Sequence, residues 1–414
     1  MTKPTDDPTE TSVDSSGAST SRRRALWPRN RRHAFIAAVL IWAVPMLVVA
    51  ALVIHDPLRH TVTTGSYHPA AENWWARRSL YVGPAGMNYL PHFAVLFSPF
   101  HFLPITWSEV LWRFCAAGTL GGGLWLLTRE LFGKQLERPF LWATILAMPL
   151  SMGALRNGNA NAVFGGVTLL AIVAIVQKRW WLAVGWMVLA TALKPLGVVL
   201  LLLASVYYAP VTRRLPVALL GLAIFPFCFG SPDYVLAQYR DAWHNLRDCA
   251  AVSEHRFADL NGILRTFGAP LAPGPSTIVR VLAGAVTAIA WLWGAQRLNP
   301  ALRCLWLYAL ATAYLMLFNP MTEANSYVIL APALGIWGAW LLSSDEPGGR
   351  RLGWCIAAMA LCMGLLPNIM RPLFGNYFAL FWHPCMTLLF LASLILFISR
   401  GGGEKLCLQP ATNP

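Results

Sequence analysis

AFIAAVLIWAVPMLVVAALVI, residues 34–54, runs directly into His55-Asp56-Pro57, and the reading of this junction decides the fold. An uncharged apolar run of this length crosses a hydrocarbon core of about 30 Å as one helix. Arg22, Arg23, Arg24, Arg29, Arg31 and Arg32 stand in front of it, which holds the amino terminus in the cytoplasm and delivers Asp56 to the outer side. Ser21 and the arginines after it faintly resemble a twin-arginine signal, but the run is long enough to span and lacks a small-residue cleavage site. It is therefore expected to stay as the first helix.

The rest of the chain fits that start. Of its 414 residues 57% are hydrophobic and only 12% are charged, and apolar runs of about twenty residues recur along it. The reading is an all-α polytopic membrane protein. Its net charge of +14 sits in short clusters between apolar runs rather than along one basic face, so the charge speaks for membrane orientation and against a nucleic-acid partner. Residues 1–32, rich in Thr, Ser and Asp before they turn basic, read as a disordered cytoplasmic tail. Residues 33–400 read as the transmembrane domain, and 401–414 as a second cytoplasmic tail. The eight cysteines are spread singly, without a zinc spacing; most are expected in the core, with no disulfide and no metal site.

Helices are expected near 34–54, 107–128, 139–155, 160–177, 180–193, 195–209, 214–231, 276–295, 301–318, 327–342, 353–367 and 377–398, about twelve in all. The positive-inside rule is then satisfied by Arg129, Lys134, Arg138, Lys178, Arg179, Arg213, Arg214, Arg297, Arg350 and Arg351. Two choices make the count work. Phe93–Leu103, broken by Pro91, Pro99 and Pro104, lies along or dips into the membrane. Trp180–Tyr208 is a hairpin with its outer tip at Lys194-Pro195, the alternative being one long tilted helix. The outer side then collects two large loops, 55–106 and 231–275, with Arg156–Asn161, Lys194, Asn319–Ser326 and Asn368–Asn376.

Asp56 is the first candidate for a catalytic base, since outer acids are few; its plain alternative is a turn residue at a helix exit. Glu72, before Asn73-Trp74-Trp75, is the competing base, in a segment that also reads as an interfacial helix with both tryptophans in the headgroups. Glu109 and Arg113, one turn apart, read as an intrahelical pair or as a lipid-phosphate contact. Lys194 is sharper: a lysine at bilayer centre costs about 2.5–3.5 kcal/mol and tends to be kept for a partner or a pathway. Asn159 and Asn161 in Gly158-Asn-Ala-Asn161 also read as an ordinary turn or helix start, whereas Glu323 and Asn325 leave more polar capacity than a turn needs. The 231–275 loop reads as an interfacial helix or lid, with Arg247, Arg256 and Arg265 as further phosphate candidates.

Several segments in fixed order resemble family-87 glycosyltransferases, membrane enzymes of the GT-C class that use polyprenyl-phosphate sugars. Tyr67-His-Pro-Ala-Ala with Ser79-Leu-Tyr81 resembles the family's first-loop pattern. Tyr89-Leu-Pro91, Phe97-Ser-Pro99 and Leu103-Pro104 are similar to its Pro steps. Gly158-Asn-Ala-Asn161, Lys194-Pro195, Leu260-Asn261-Gly262 and Asn319-Pro-Met-Thr322 resemble its later motifs. The resemblance implies a GT-C-like bundle, a polyprenyl-phosphate sugar donor, a lipid or glycan acceptor, and Tyr67, Tyr89, Asn159, Asn161, Lys194, Asn261, Glu323 and Asn325 as substrate-binding residues, to which the residue reading adds Arg113 and Arg256. There are two departures. The family's Asp before the first-loop Tyr would fall by spacing at Thr63 rather than Asp56, and Asn325 stands where many members have His. The implied reaction is a single inverting displacement of a mannosyl, other hexosyl or pentosyl group, without metal or other cofactor, on the outer face of the inner (plasma) membrane. The rival reading, a lipid-linked sugar transporter or flippase, predicts pseudo-symmetric halves, and the first-loop pattern does not recur. A purely structural membrane partner leaves the gathering of polar features on one side without a cause.

Overall fold

In the computed structural model the described residues are 31–59, 61–82, 86–251 and 257–402, and among them the chain is helical with no strand. The junction behaves as read: α1 (Arg31–His55) ends where His55-Asp56-Pro57 begins. Six helices are long and apolar enough to cross a membrane: α1, the helices over Ile105–Gln135, Pro273–Ala295, Pro300–Phe318 and Pro347–Phe374, and the helix over Tyr377–Ser399.

The segment that follows α1 is folded. A π-helical turn (Thr63–Tyr67) leads into α2 (His68–Trp75), and α3 (His92–His101) follows. At 1.5 Å per residue α3 is about 15 Å long, and extended Pro104 (ψ 138°) parts it from the next helix. Then come α4 (Ile105–Phe132), α5 (Glu137–Arg156), α6 (Asn161–Val176), α7 (Trp180–Leu193) and α8 (Gly197–Tyr207). The break between α7 and α8 falls at Lys194, which is extended (φ −148°, ψ 136°). Pro195 explains it, because a proline pushes the preceding residue out of the α region. The hairpin reading holds over the single tilted helix.

After the short α9 (Ala209–Thr212) and α10 (Leu215–Ile224) come α11 (Pro232–Ala251) and α12 (Leu260–Thr266). The chain closes with α13 (Pro273–Ala295), α14 (Pro300–Phe318), α15 (Ala331–Leu342), α16 (Pro347–Phe374) and α17 (Tyr377–Ser399). The core lies around α6, α14 and α15. In its most apolar stretch α14 is 78% buried, whereas α13 is 17% buried and turns Ile278, Val281, Val286 and Ile289 outward, as a lipid-facing helix does. Close helix approach is bought with glycine at Gly166, where a Cβ would strike the Thr119 and Leu120 backbone of α4.

Three expectations need correction. Asn368–Asn376 is not a loop: α16 continues through Pro367 and Pro372 to Phe374, and Gly375 (φ +59°) ends it. Trp74 does not sit in headgroups; it is fully buried, with its ring 5.2 Å from that of Tyr234 on α11, while Trp75 alone is exposed. Among the seven described cysteines only Cys304 is buried, the others lying wholly or partly exposed on helix faces where apolar surroundings need no inward packing.

Candidate functional site

One end of the bundle gathers the polar segments. The ends of α1, α5, α14 and α16 meet the starts of α4, α6 and the 3₁₀ turn Ala324–Ile329, and the α7–α8 tip joins them. Arg31 lies at the other end, where its guanidinium donates to the Lys134 carbonyl at 3.0 Å. Two cavities open at the gathered end, and both are walled by the same three segments, 61–67, 153–161 and 319–326.

The first cavity, about 340 Å³, is charged. Asp56, Arg59, Glu109, Arg113, Arg156 and Arg371 line it with Thr61, Asn157, Asn325 and Asn368, over a floor of Val49, Leu52 and Val53. Asp56 is exposed at its lip and makes no side-chain hydrogen bond or ion pair among the described residues. Arg113 is the opposite case. Only 1% exposed, it donates from Nη1 to Glu109 Oε2 at 2.6 Å and from Nε to the Arg156 carbonyl at 3.2 Å, while its buried Nη2 has no partner. Thr63 Oγ1 donates to the same Glu109 oxygen at 2.6 Å, and Thr61 Oγ1 lies 2.7 Å from Thr63 Oγ1. His68 Nε2 stands 3.4 Å from Glu109 Oε1. The default intrahelical pair is therefore present, and it also ties α4 to the π-turn. Gly158 (φ +66°) makes this possible: a Cβ there would meet the Arg113 guanidinium at 3.2 Å and Thr63 Oγ1 at 3.0 Å.

The second cavity, about 390 Å³, is built from hydroxyls, amides, one carboxylate and one cation among its described polar side chains. Tyr67, Tyr89, Asn159, Asn161, Lys194, Glu323 and Ser326 line it together with Met87, Leu196, Leu246 and Met321. Lys194 Nζ donates to Asn161 Oδ1 at 2.5 Å and lies 5.0 Å above the Tyr89 ring. Asn161 Nδ2 donates to Ser326 Oγ at 3.1 Å, and Asn159 Oδ1 accepts from the Asn161 backbone at 2.9 Å. Tyr67 Oη accepts from the Ala160 N–H at 3.0 Å and meets Tyr89 Oη at 3.1 Å. Burial, then the neighbouring Tyr89, hold the Tyr67 hydroxyl well above the ordinary phenol range, so it stays a neutral donor. Glu323 is less free than expected, because its carboxylate caps the Ala324–Ile329 turn in a reciprocal box with Ser326.

The structure thus divides the residues singled out from sequence. Asp56, Arg113 and Asn325 line the charged cavity; Tyr67, Tyr89, Asn159, Asn161, Lys194 and Glu323 line the other. Glu72 reaches neither. It is exposed on α2 and paired with Arg78 at 2.6 Å. Asn261 is a local staple, donating to the Leu271 carbonyl at 3.2 Å and accepting from its N–H at 2.8 Å, in a separate small cleft with Asp259. Burial lifts the Asp259 carboxyl to about 6 as it caps α12 through Gly262 N–H. Arg256 lies outside the described residues. Arg247 and Arg265 line neither large cavity. Sequence reasoning missed Arg59, Arg156 and Arg371 as wall residues. Arg59, three residues after Asp56, was the readable one.

The fold and this end define a multi-pass membrane protein with paired polar cavities, one of them suited by its arginines to an anionic group. The chain belongs to glycosyltransferase family 87, whose model matches residues 88–320. It is 25% identical over 287 residues to a polyprenol-phosphate-mannose-dependent alpha-(1-2)-phosphatidylinositol pentamannoside mannosyltransferase of Mycobacterium tuberculosis, covering 66% of this chain and 62% of that protein. It is 27% identical over 294 residues to the enzyme of the same description from Mycolicibacterium smegmatis, covering 67% of each. The chain therefore spans somewhat less than two thirds of the first relative's length. Crystal structures of ArnT from Cupriavidus metallidurans also align: the apo state with a TM-score of 0.43 at 15% identity, and the form bound to undecaprenyl phosphate with 0.37 at 18%. Each covers 88% of this chain and 78% of that one.

Proposed function

We propose that this protein is an integral-membrane glycosyltransferase that moves a mannosyl or related hexosyl or pentosyl group from a polyprenyl-phosphate sugar to a lipid or glycan acceptor. The observation that carries this reading is the unpaired Asp56 carboxylate at the lip of a cavity whose wall holds Arg59, Arg113, Arg156 and Arg371. A base and a set of phosphate-binding cations are the two things such a displacement needs. Family membership and the donor named for the mycobacterial relatives support the choice of polyprenyl-phosphate mannose.

In this mechanism Asp56 accepts the acceptor's hydroxyl proton as that oxygen attacks the anomeric carbon. The bond from the anomeric carbon to phosphate oxygen breaks, its electron pair leaves with polyprenyl phosphate, and configuration inverts. The arginines take up the charge that develops on the leaving phosphate, and Arg113 Nη2, buried and unbonded, is available without breaking an existing bond. The second cavity, with Lys194 and its amides and hydroxyls, holds the polyhydroxylated part of a substrate. The cavities' end faces the outside of the plasma membrane, the amino terminus is cytoplasmic, and α5 with the five shorter apolar helices brings the crossings to about twelve.

The test is transfer of labelled mannose from polyprenyl-phosphate mannose to a panel of lipid and glycan acceptors in proteoliposomes. The expected outcome is transfer by the native protein and a loss of about 10²–10⁴ in Asp56→Asn. Movement of intact lipid-linked sugar across the bilayer without transfer would instead identify a flippase.

A further inference from the structure

We infer that Thr61 Oγ1 accepts a hydrogen bond from a sugar hydroxyl of the bound donor or acceptor and thereby selects a substrate that carries an O–H at that point. The inference rests on the transfer reaction proposed above. Thr61 is partly exposed and lies on the wall of the charged cavity with Asp56, five residues before it.

A hydroxyl can donate or accept, and here its direction is fixed from behind. The series starts at Glu109, 1% exposed, to which Arg113 Nη1 donates at 2.6 Å. Paired in this way Glu109 is a carboxylate, and a carboxylate only accepts. The buried Thr63 Oγ1 lies 2.6 Å from Glu109 Oε2 and directs its one proton there. Toward Thr61 Oγ1, at 2.7 Å, Thr63 therefore presents a lone pair, so at that contact Thr61 is the donor. With its one proton committed, Thr61 Oγ1 has acceptor capacity alone. The neighbouring Thr64 Oγ1, 3.4 Å away, does not fill it, because its proton is directed to the Arg59 carbonyl at 3.1 Å or the Thr61 carbonyl at 3.3 Å. Nor does the π-turn need Thr61 Oγ1 as a cap, since Thr64 Oγ1 already accepts from the Thr61 N–H at 2.9 Å.

The rest of the wall gives this acceptor its use. The four arginines only donate, and Asp56 is the charged acceptor for the proton that is lost in the reaction. A neutral acceptor on the same wall suits a hydroxyl that is bound and keeps its proton. A carbonyl or ether oxygen at that point would face lone pair to lone pair, and a site built to accept from an O–H discriminates against an analogue without one.

The experiment measures equilibrium binding and transfer by the full chain in proteoliposomes, with polyprenyl-phosphate mannose and a mannose-bearing acceptor lipid. For each ligand a series replaces one sugar hydroxyl at a time, the reacting one excepted, by hydrogen or by fluorine. In the native protein one position is expected to lose about tenfold in affinity, equally for hydrogen and fluorine, because Thr61 has no proton to give to fluorine. The series in which that position falls, donor or acceptor, identifies the substrate that is read. Thr61→Val is expected to bind the parent ligand about tenfold more weakly and to show no further loss at that position, whereas Thr61→Ser keeps the discrimination. Thr61→Ala takes the place of Thr61→Val should the latter fail to fold. Thr63→Val releases the Thr61 proton toward the cavity and is expected to favour the fluorine analogue over the hydrogen one. Fluorine analogues held as tightly as the parent at every position, or a Thr61 variant without the hydroxyl that discriminates as the native protein does, would overturn the assignment. The expected pattern in binding without any sugar transfer would keep Thr61 and remove the proposed activity, and transfer without any position-specific loss would remove Thr61 alone. Binding of neither ligand would overturn both.

Discussion

The two cavities share three wall segments and differ in how their polar groups are committed. In the charged cavity Asp56 and Arg113 Nη2 have no hydrogen-bond partner among the described residues. In the second, Lys194, Asn159 and Ser326 all bond to Asn161, while Tyr67 bonds to Tyr89 and to the Ala160 N–H. Groups held in reserve suit charge that appears during a reaction, whereas groups already bonded suit a fixed shape that orients a ground state. Under the proposed function, the difference suits the first cavity to chemistry and the second to positioning.

The largest expected break in this comparison comes from Arg113→Leu. It leaves the Glu109 carboxylate buried without its cation, a loss of about 3–5 kcal/mol in stability, measurable by thermal unfolding in detergent. Glu109→Gln in the same background should restore much of it. Next is Lys194→Met, which removes a charged hydrogen bond worth about 1.5–3 kcal/mol and is expected to raise substrate KM roughly ten- to hundredfold with a smaller change in kcat. Tyr67→Phe leaves the buried Ala160 N–H without an acceptor and should cost about 1–3 kcal/mol of stability, seen as a lower Tm with the charged cavity's chemistry retained. The smallest effect is expected from Glu72→Gln: both partners of its pair with Arg78 are more than half exposed, so stability should change by less than about 1 kcal/mol and transfer not at all.

Much of the helical plan was legible because hydrocarbon imposes long uncharged runs, and α7 is bounded as expected at 180 and 193. Pro195 announced the break at Lys194 through its effect on the residue before it. Within the site, Asp56 and Lys194 were readable as rare charges beside apolar helices. Their division between two cavities was not, since it depends on which faces of 61–67, 153–161 and 319–326 turn each way in the fold. Arg371 was hidden for a related reason. Asn368–Asn376 was expected to lie beyond the helix, but α16 continues past Pro367 and Pro372 and brings the arginine to the cavity wall. Glu72 misled through its neighbours, because Trp74 turns inward to Tyr234 and leaves the carboxylate outside with Arg78.

The central claim is that the charged cavity does the chemistry and the second cavity only positions. The most direct test is to measure kcat and KM for mannosyl transfer in Asp56→Asn and Lys194→Met under one set of conditions. The division of roles predicts that Asp56→Asn loses about 10²–10⁴ in kcat with KM little changed, and that Lys194→Met shows its loss in KM. A collapse of kcat in Lys194→Met with Asp56→Asn still turning over near the native rate would contradict it.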